Sequence, residues 1–281
     1  MSGVRLASTY EELVFFALSF VPVASGADEG PAKAASISRP KWATTSASRP
    51  FEEDREALRA YSRGVLSAQW LPRLFAERSD ARGLLHLAAK TPFEELGDKP
   101  GIEPFAYATM RGSDSRLTEL LLCDMALAIT SFEREALPIL EERKAACAPS
   151  IEAALVELGE IVPRLQSVEP TVAAMLGISG RVFSEPAGPA IYVGLADEEP
   201  FVAAREAALL AVHELAVFLA EDVYGSAERA AIDAVSVLVR GTTFEADHER
   251  RLARFDLSIL PNAGACVGLA GRVVDALRRR A

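Results

Sequence analysis

The order of apolar and polar residues divides the chain into stretches of different character. Leu13 to Ala24 (LVFFALSFVPVA) is an almost unbroken apolar run. Residues 25 to 50 are rich in Ser, Ala, Pro and Gly without an apolar period, as in a linker or a long surface loop. Helical patterns resume at Phe51 (FEEDREALRAYSRGVL, then WLPRLFAERSDARGLLHLAA), and residues 91 to 114 are irregular, with a short strand expected at Phe105 to Met110. From Arg116 onward Leu117, Leu120, Leu121, Met125, Leu127 and Ile129 recur near a 3.6-residue period. Two more helices are predicted over Ile139 to Leu158 and Glu160 to Leu176, divided around Gly159 to Pro163.

The texture then changes. Arg181 to Glu185 and Ala190 to Ala196 (AIYVGLA) are short, β-branched or aromatic, and bounded by Pro and Gly, so they read as strands. Pro200 opens a long helix predicted to reach about Tyr224. Helices over Ser226 to Arg240, Glu245 to Asp256 and Gly264 to Arg280 follow, with Asn262 placed to cap the last. The expected fold class is mainly α with a small β-sheet (α+β). Residues 1–50 form an N-terminal apolar segment plus linker, and 51–281 a helix-rich body.

Composition narrows the function classes. A chain of 281 residues, half of them hydrophobic and a quarter charged, builds a sizeable core without disulfides or a structural metal. A net charge of −10 argues against nucleic-acid binding, which needs clustered Lys and Arg, and the tail Arg278-Arg279-Arg280 is too short to reverse it. The cysteines, Cys123, Cys147 and Cys266, contain no C-x-x-C pair, so buried free thiols are expected. Leu13 to Ala24 is too short to cross a bilayer, and Glu11 and Glu12 stand where a signal peptide carries positive charge. Ser8-x-x-Glu11 and Thr9-x-x-Glu12 have capping-box spacing. The segment is therefore expected to pack on the body of a cytoplasmic protein with no membrane partner, or to mediate oligomer formation.

Candidate chemistry centres on LLAVHELAVFLAED, residues 209 to 222. On a helix Glu206, His213, Glu214 and Glu221 fall within an arc of about 100°. Tyr224 extends this polar stripe, and the rest of the circumference is apolar. Such a stripe is expected to face water or the floor of a pocket. His213-Glu214 resembles the opening of the H-E-x-x-H helix of zincin metallopeptidases, here preceded by the strand-like Ala190 to Ala196. The resemblance spans about residues 190 to 224 and makes 180–281 the metallopeptidase-like part. It implies His213 as a zinc ligand and Glu214 as general base. Val217 stands where the second histidine belongs. A substitute ligand set of His213, Glu221 and His248 is chemically open, since zinc accepts carboxylate oxygen. The plainer reading makes His213 a partly exposed helix residue and His248 a surface one.

Other motifs fail on geometry. Ser38-x-x-Lys41 lies in the linker with Pro40 inside it, and Gly177-Ile178-Ser179-Gly180 lacks the closing glycine of a nucleophile elbow. Gly264, Gly268 and Gly271 are read as allowing close helix packing, and His86 as a core-edge residue. What remains is a non-catalytic, peptide- or protein-binding accessory protein with a degenerate metallopeptidase-like site and no cofactor. A bacterial pathway that modifies peptides would suit it. Its groove is expected from Tyr192 and the AIYVGLA strand together with Glu206, His213, Glu214, Glu221 and Tyr224, the strand accepting an added peptide strand. The alternative is a zinc-dependent hydrolase built on His213, Glu221 and His248, with Glu214 as base.

Overall fold

The computed structural model describes residues 3–9, 11, 12, 15, 132–185, 188–220, 224–255 and 257–280. Across these residues the protein is mainly helical with a small four-stranded sheet, an α+β fold. The apolar run Leu13 to Ala24 (Phe15 excepted), the linker and every element expected between Phe51 and Ile129 lie outside them. The chain divides into two compact units, Met1–Leu6 with Glu142–Ala281, and Ala7–Glu141. In the second unit the capping box forms as the spacing predicts. Ser8 N–H donates to Glu11 Oε2 at 2.7 Å, and Glu11 N–H returns to Ser8 Oγ at 3.3 Å.

The first unit begins with β1 (Arg5–Leu6), and α1 (Leu137–Ile161) leads into the rest of it. Cys147, Ile151, Leu155 and Leu158 of α1 are buried at spacings of four, four and three, which keeps one face of the helix in the core. The helix expected over Glu160 to Leu176 does not form. The chain instead passes through a 3-10 turn (Pro163–Ser167), strand β2 (Thr171–Val172) and a second 3-10 turn (Ala174–Leu176). Pro163 and Pro170 lack the N–H a continuing helix needs and hold their preceding residues out of helical geometry; Val162 has φ −125° and ψ 77°. The β-branched pair Thr171-Val172 then suits a strand.

The two predicted strands appear as the hairpin β3 (Gly180–Glu185) and β4 (Gly188–Val193). Sheet order is β1-β2-β4-β3, with β1, β2 and β4 parallel and β3 antiparallel to β4. Tyr192 lies in the middle of the sheet, opposite Thr171 on one side and Arg181 on the other. β4 ends sooner than its pattern suggests because the next residue, Gly194, runs against the Gly177 turn. A Cβ at Gly194 would sit 2.2 Å from the Gly177 carbonyl oxygen, so only glycine permits that approach.

Four helices follow: α2 (Pro200–Ala220), α3 (Tyr224–Val239), α4 (Glu245–Leu252) and α5 (Ala263–Arg278). Helix α2 crosses the β3–β4 hairpin and packs against α3, α4 and α5, so it is central. Through its middle its apolar residues are buried, Leu209, Leu210, Val212 and Leu215 among them, while Phe201 in its first turn is exposed. Each such side chain contributes about 1.5–3 kcal/mol by leaving water. Helix α5 buries a single stripe, Cys266, Leu269, Ala270, Val273, Val274 and Leu277, and begins where expected, Asn262 Oδ1 accepting Gly264 N–H at 2.9 Å. Its glycines do not serve close packing: a Cβ at Gly268 or Gly271 would meet nothing within 4 Å. Cys147 and Cys266 are buried free thiols, while Cys123 lies outside the described residues. No helix among the described residues is long and apolar enough to cross a membrane.

Candidate functional site

The polar stripe of α2 does not face water. Glu206, His213 and Glu214 are each at most 5% exposed, so a layer of charge lies inside the helical packing. His213 Nε2–H donates to Glu228 Oε1 of α3 at 2.9 Å. Glu214 presses against the hairpin, its carboxylate filling the place where Gly180 would carry a Cβ. Glu206 accepts from Arg254 at 2.7 Å and lies 3.8 Å from Arg250. Glu221 lies outside the described residues. Tyr224 starts α3 and is not part of α2, so it does not extend the stripe. Tyr192 is buried in the sheet, and its hydroxyl takes a hydrogen bond from Arg5 at 3.3 Å.

His248 is also buried, on α4 and not on the surface. Ser236 donates its hydroxyl to the Ile232 carbonyl at 2.8 Å, so the 2.8 Å contact between Ser236 Oγ and His248 Nε2 has the imidazole as donor. Burial, and then the charges of Arg251 and His213, hold His248 down to about 4. It is therefore neutral at physiological pH. Burial also raises the Glu206 carboxyl above its ordinary range, with Arg254 and Arg250 opposing the effect.

The counter-charge for this layer comes from α4 and the turn after it. Arg251 is 6% exposed, and its Nε and Nη1 have no hydrogen-bond partner. Burial pushes its guanidinium below the ordinary arginine range, opposed by the nearby charges of Glu228, Glu214 and Glu206. Arg254 bridges Glu206 and Glu198, and Arg250 pairs with Asp247 at 3.1 Å. Arg251 thus supplies positive charge to three carboxylates without a hydrogen bond to any of them.

Beside this layer a small cleft opens at the carboxyl ends of β2 and β4. The Gly177–Ile178 turn and the Gly194 backbone form one wall, and Glu206 and Leu210 of α2 form another. Arg251, Arg254 and Phe255 close it. Its empty volume is about 250 Å³, part of it open to solvent. Glu206 lines this cleft, and its Oε1 is buried without a hydrogen-bond partner among the described residues.

The arrangement was tested for zinc. Among the described residues no three His, Cys, Asp or Glu side chains converge as metal ligands. The carboxylates face a buried arginine, and both His213 and His248 use Nε2 within the protein. The Nδ1 atoms of both histidines have no hydrogen-bond partner among the described residues, and Glu221, the third expected ligand, lies outside them.

No family model, curated protein or solved structure matches this chain. The site therefore has to be interpreted from its own geometry. Sequence reasoning brought Glu206, His213 and Glu214 to one helix face correctly, and it missed Glu228, Ser236, Arg251 and Arg254. The one signal for the arginines was their spacing, Arg250-Arg251-x-x-Arg254 against an acidic helix. For Glu228 and Ser236 nothing in the local pattern marks them.

Proposed function

We propose that this protein is a non-catalytic accessory that binds a peptide or protein segment, through a site helix derived from a metallopeptidase-like ancestor. The observation that carries the reading is the edge of the sheet. Strand β3 pairs with β4 along six residues on one side, and among the described residues no strand pairs with its other side. A sheet edge that no described strand covers is a template for an added strand, with main-chain hydrogen bonds supplying affinity. The sequence placed this role on AIYVGLA; its β4 part pairs with β3 along its length and with β2 at Tyr192 and Val193. The role passes to β3, whose first residue lies three positions after the Gly177 wall of the cleft.

The test is selection from a random decapeptide display library, followed by hydrogen–deuterium exchange on the selected complexes. The expected result is enrichment of peptides that slow exchange at β3 amides. Enriched peptides that protect some other region, or no enrichment at all, would overturn the reading. The hydrolase reading has one observation in its favour, the unpartnered Nδ1 atoms of His213 and His248. Elemental analysis after zinc loading decides it: near-stoichiometric metal lost in His213→Ala would put it first.

A further inference from the structure

We propose that, without a peptide, the β3 edge pairs with β3 of a second copy of this chain, antiparallel about Phe183, so that self-association and peptide binding exclude one another. This concerns the regulation of the strand-accepting edge and rests on that reading. The backbone decides which groups are on offer. Gly194 N–H donates to the Ser179 carbonyl at 2.9 Å, so the backbone of Ser179 faces β4. Along an antiparallel ladder one residue bonds the partner strand, and the next points its N–H and C=O away from it. Arg181, Phe183 and Glu185, opposite Tyr192, Ala190 and Gly188, therefore face β4, while Gly180, Val182 and Ser184 point outward. The Gly180 carbonyl agrees with that alternation, since it accepts a hydrogen bond from Arg181 Nη1 at 2.5 Å. Val182 and Ser184 remain as the outward residues for a further strand.

The sequence of β3 selects the partner. Arg181, Phe183 and Glu185 are alternate residues, so they share one face of the strand. Along this face the residues run cation, aromatic, anion. Turned about a two-fold axis at Phe183, the row meets its own complement. Arg181 of each copy stands opposite Glu185 of the other, and Phe183 opposite Phe183. Val182 and Ser184 then form the hydrogen-bonded pairs, and the charged and aromatic residues take the other positions, where side chains approach more closely. Sliding the copies until Val182 meets Val182 would set Arg181 against Phe183, and would call on the Gly180 carbonyl that Arg181 already occupies. No proline interrupts β3, a device by which edge strands discourage such pairing.

Sedimentation velocity of the full chain across the micromolar range tests the pairing. The wild type should form a weak dimer. Arg181→Glu and Glu185→Arg each set like charges face to face, and each should weaken the dimer about tenfold. An equimolar mixture of the two variants restores both opposite-charge pairs and should dimerise like the wild type, which also shows that both variants fold. A decapeptide enriched by the display selection should dissociate the wild-type dimer. A monomeric wild type, single variants that dimerise as tightly as the wild type, or a mixture no tighter than its components would overturn the pairing. A dimer that persists with the decapeptide bound at β3 would overturn the competition. Peptide protection of β3 in a chain that never dimerises removes self-association and keeps peptide binding. Slower exchange at the Val182 and Ser184 amides as protein concentration rises, with no peptide enriched, does the reverse.

Discussion

Two regions where α2 meets α4 treat a buried arginine in opposite ways. Around Arg205 every part of the guanidinium is engaged. Nε donates to Asp247 at 2.6 Å, Nη2 to the Thr243 carbonyl at 2.7 Å, and the group stacks 3.8 Å from the Phe244 ring centre. Arg251 is buried more deeply, near three carboxylates, and its Nε and Nη1 have no hydrogen-bond partner among the described residues. The first region is complete within the protein and belongs to stability. The second is incomplete and borders a cleft. An incomplete polar network costs stability.

The comparison breaks most directly under paired substitutions. Arg205→Met removes a satisfied network and leaves Asp247 buried with one partner fewer. The expected loss is about 3 kcal/mol in urea denaturation. Arg251→Met breaks no described hydrogen bond of Nε or Nη1 but withdraws counter-charge from buried Glu206 and Glu214, and should cost less, about 2 kcal/mol. The reverse order would show that Arg251 is structural and Arg205 dispensable.

A smaller effect is expected from His248, which is held neutral beside Arg251. Its folded value of about 4 lies below the ordinary imidazole value of about 6.5, so the unfolded chain binds the extra proton first as pH falls. Stability from this group is complete above about pH 6.5 and is lost progressively toward about pH 4. Between about pH 7 and about pH 5 the loss should be about 2 kcal/mol, absent in His248→Gln. In Arg251→Met the decline should still begin near about pH 6.5 but be smaller and end at higher pH, because one of the two neighbouring positive charges is gone and the folded value rises. An unchanged profile would mean that Arg251 does not act on His248.

The smallest effect sharpens the contrast. A Cβ at Gly180 would come within 2.7 Å of the Glu214 side chain, so Gly180→Ala must displace that carboxylate. The cost should be about 1 kcal/mol, since the displaced group is a side chain and not backbone. The Arg251 Nε–H resonance should move while that of Arg205 stays fixed. Movement of both would show that the two regions are coupled through α2.

Much of the architecture was legible because its causes are local. The capping box at Ser8 and Glu11, Pro200 at the start of α2, Asn262 at the start of α5 and the two hairpin strands all follow from residues within a few positions of one another. The failure over Glu160 to Leu176 was local too: apolar spacing outweighed Pro163 and Pro170, which deny the segment its hydrogen bonds. The site was half legible. Helical periodicity places Glu206, His213 and Glu214 on one face, but it carries no information about what that face meets.

The sequence by itself determined the fold class, the ends of most described helices, and the existence of a polar stripe on an otherwise apolar helix. Only the tertiary structure decided that the stripe is buried, that arginines from α4 and the turn after it supply its counter-charge, that β3 lies at an edge of the described sheet, and that Arg251 borders a cleft. Propensity, capping and periodicity act between near neighbours in the chain. Charge pairing and strand order depend on which distant segments are brought together, and the ion pairs of this site lie up to 56 residues apart.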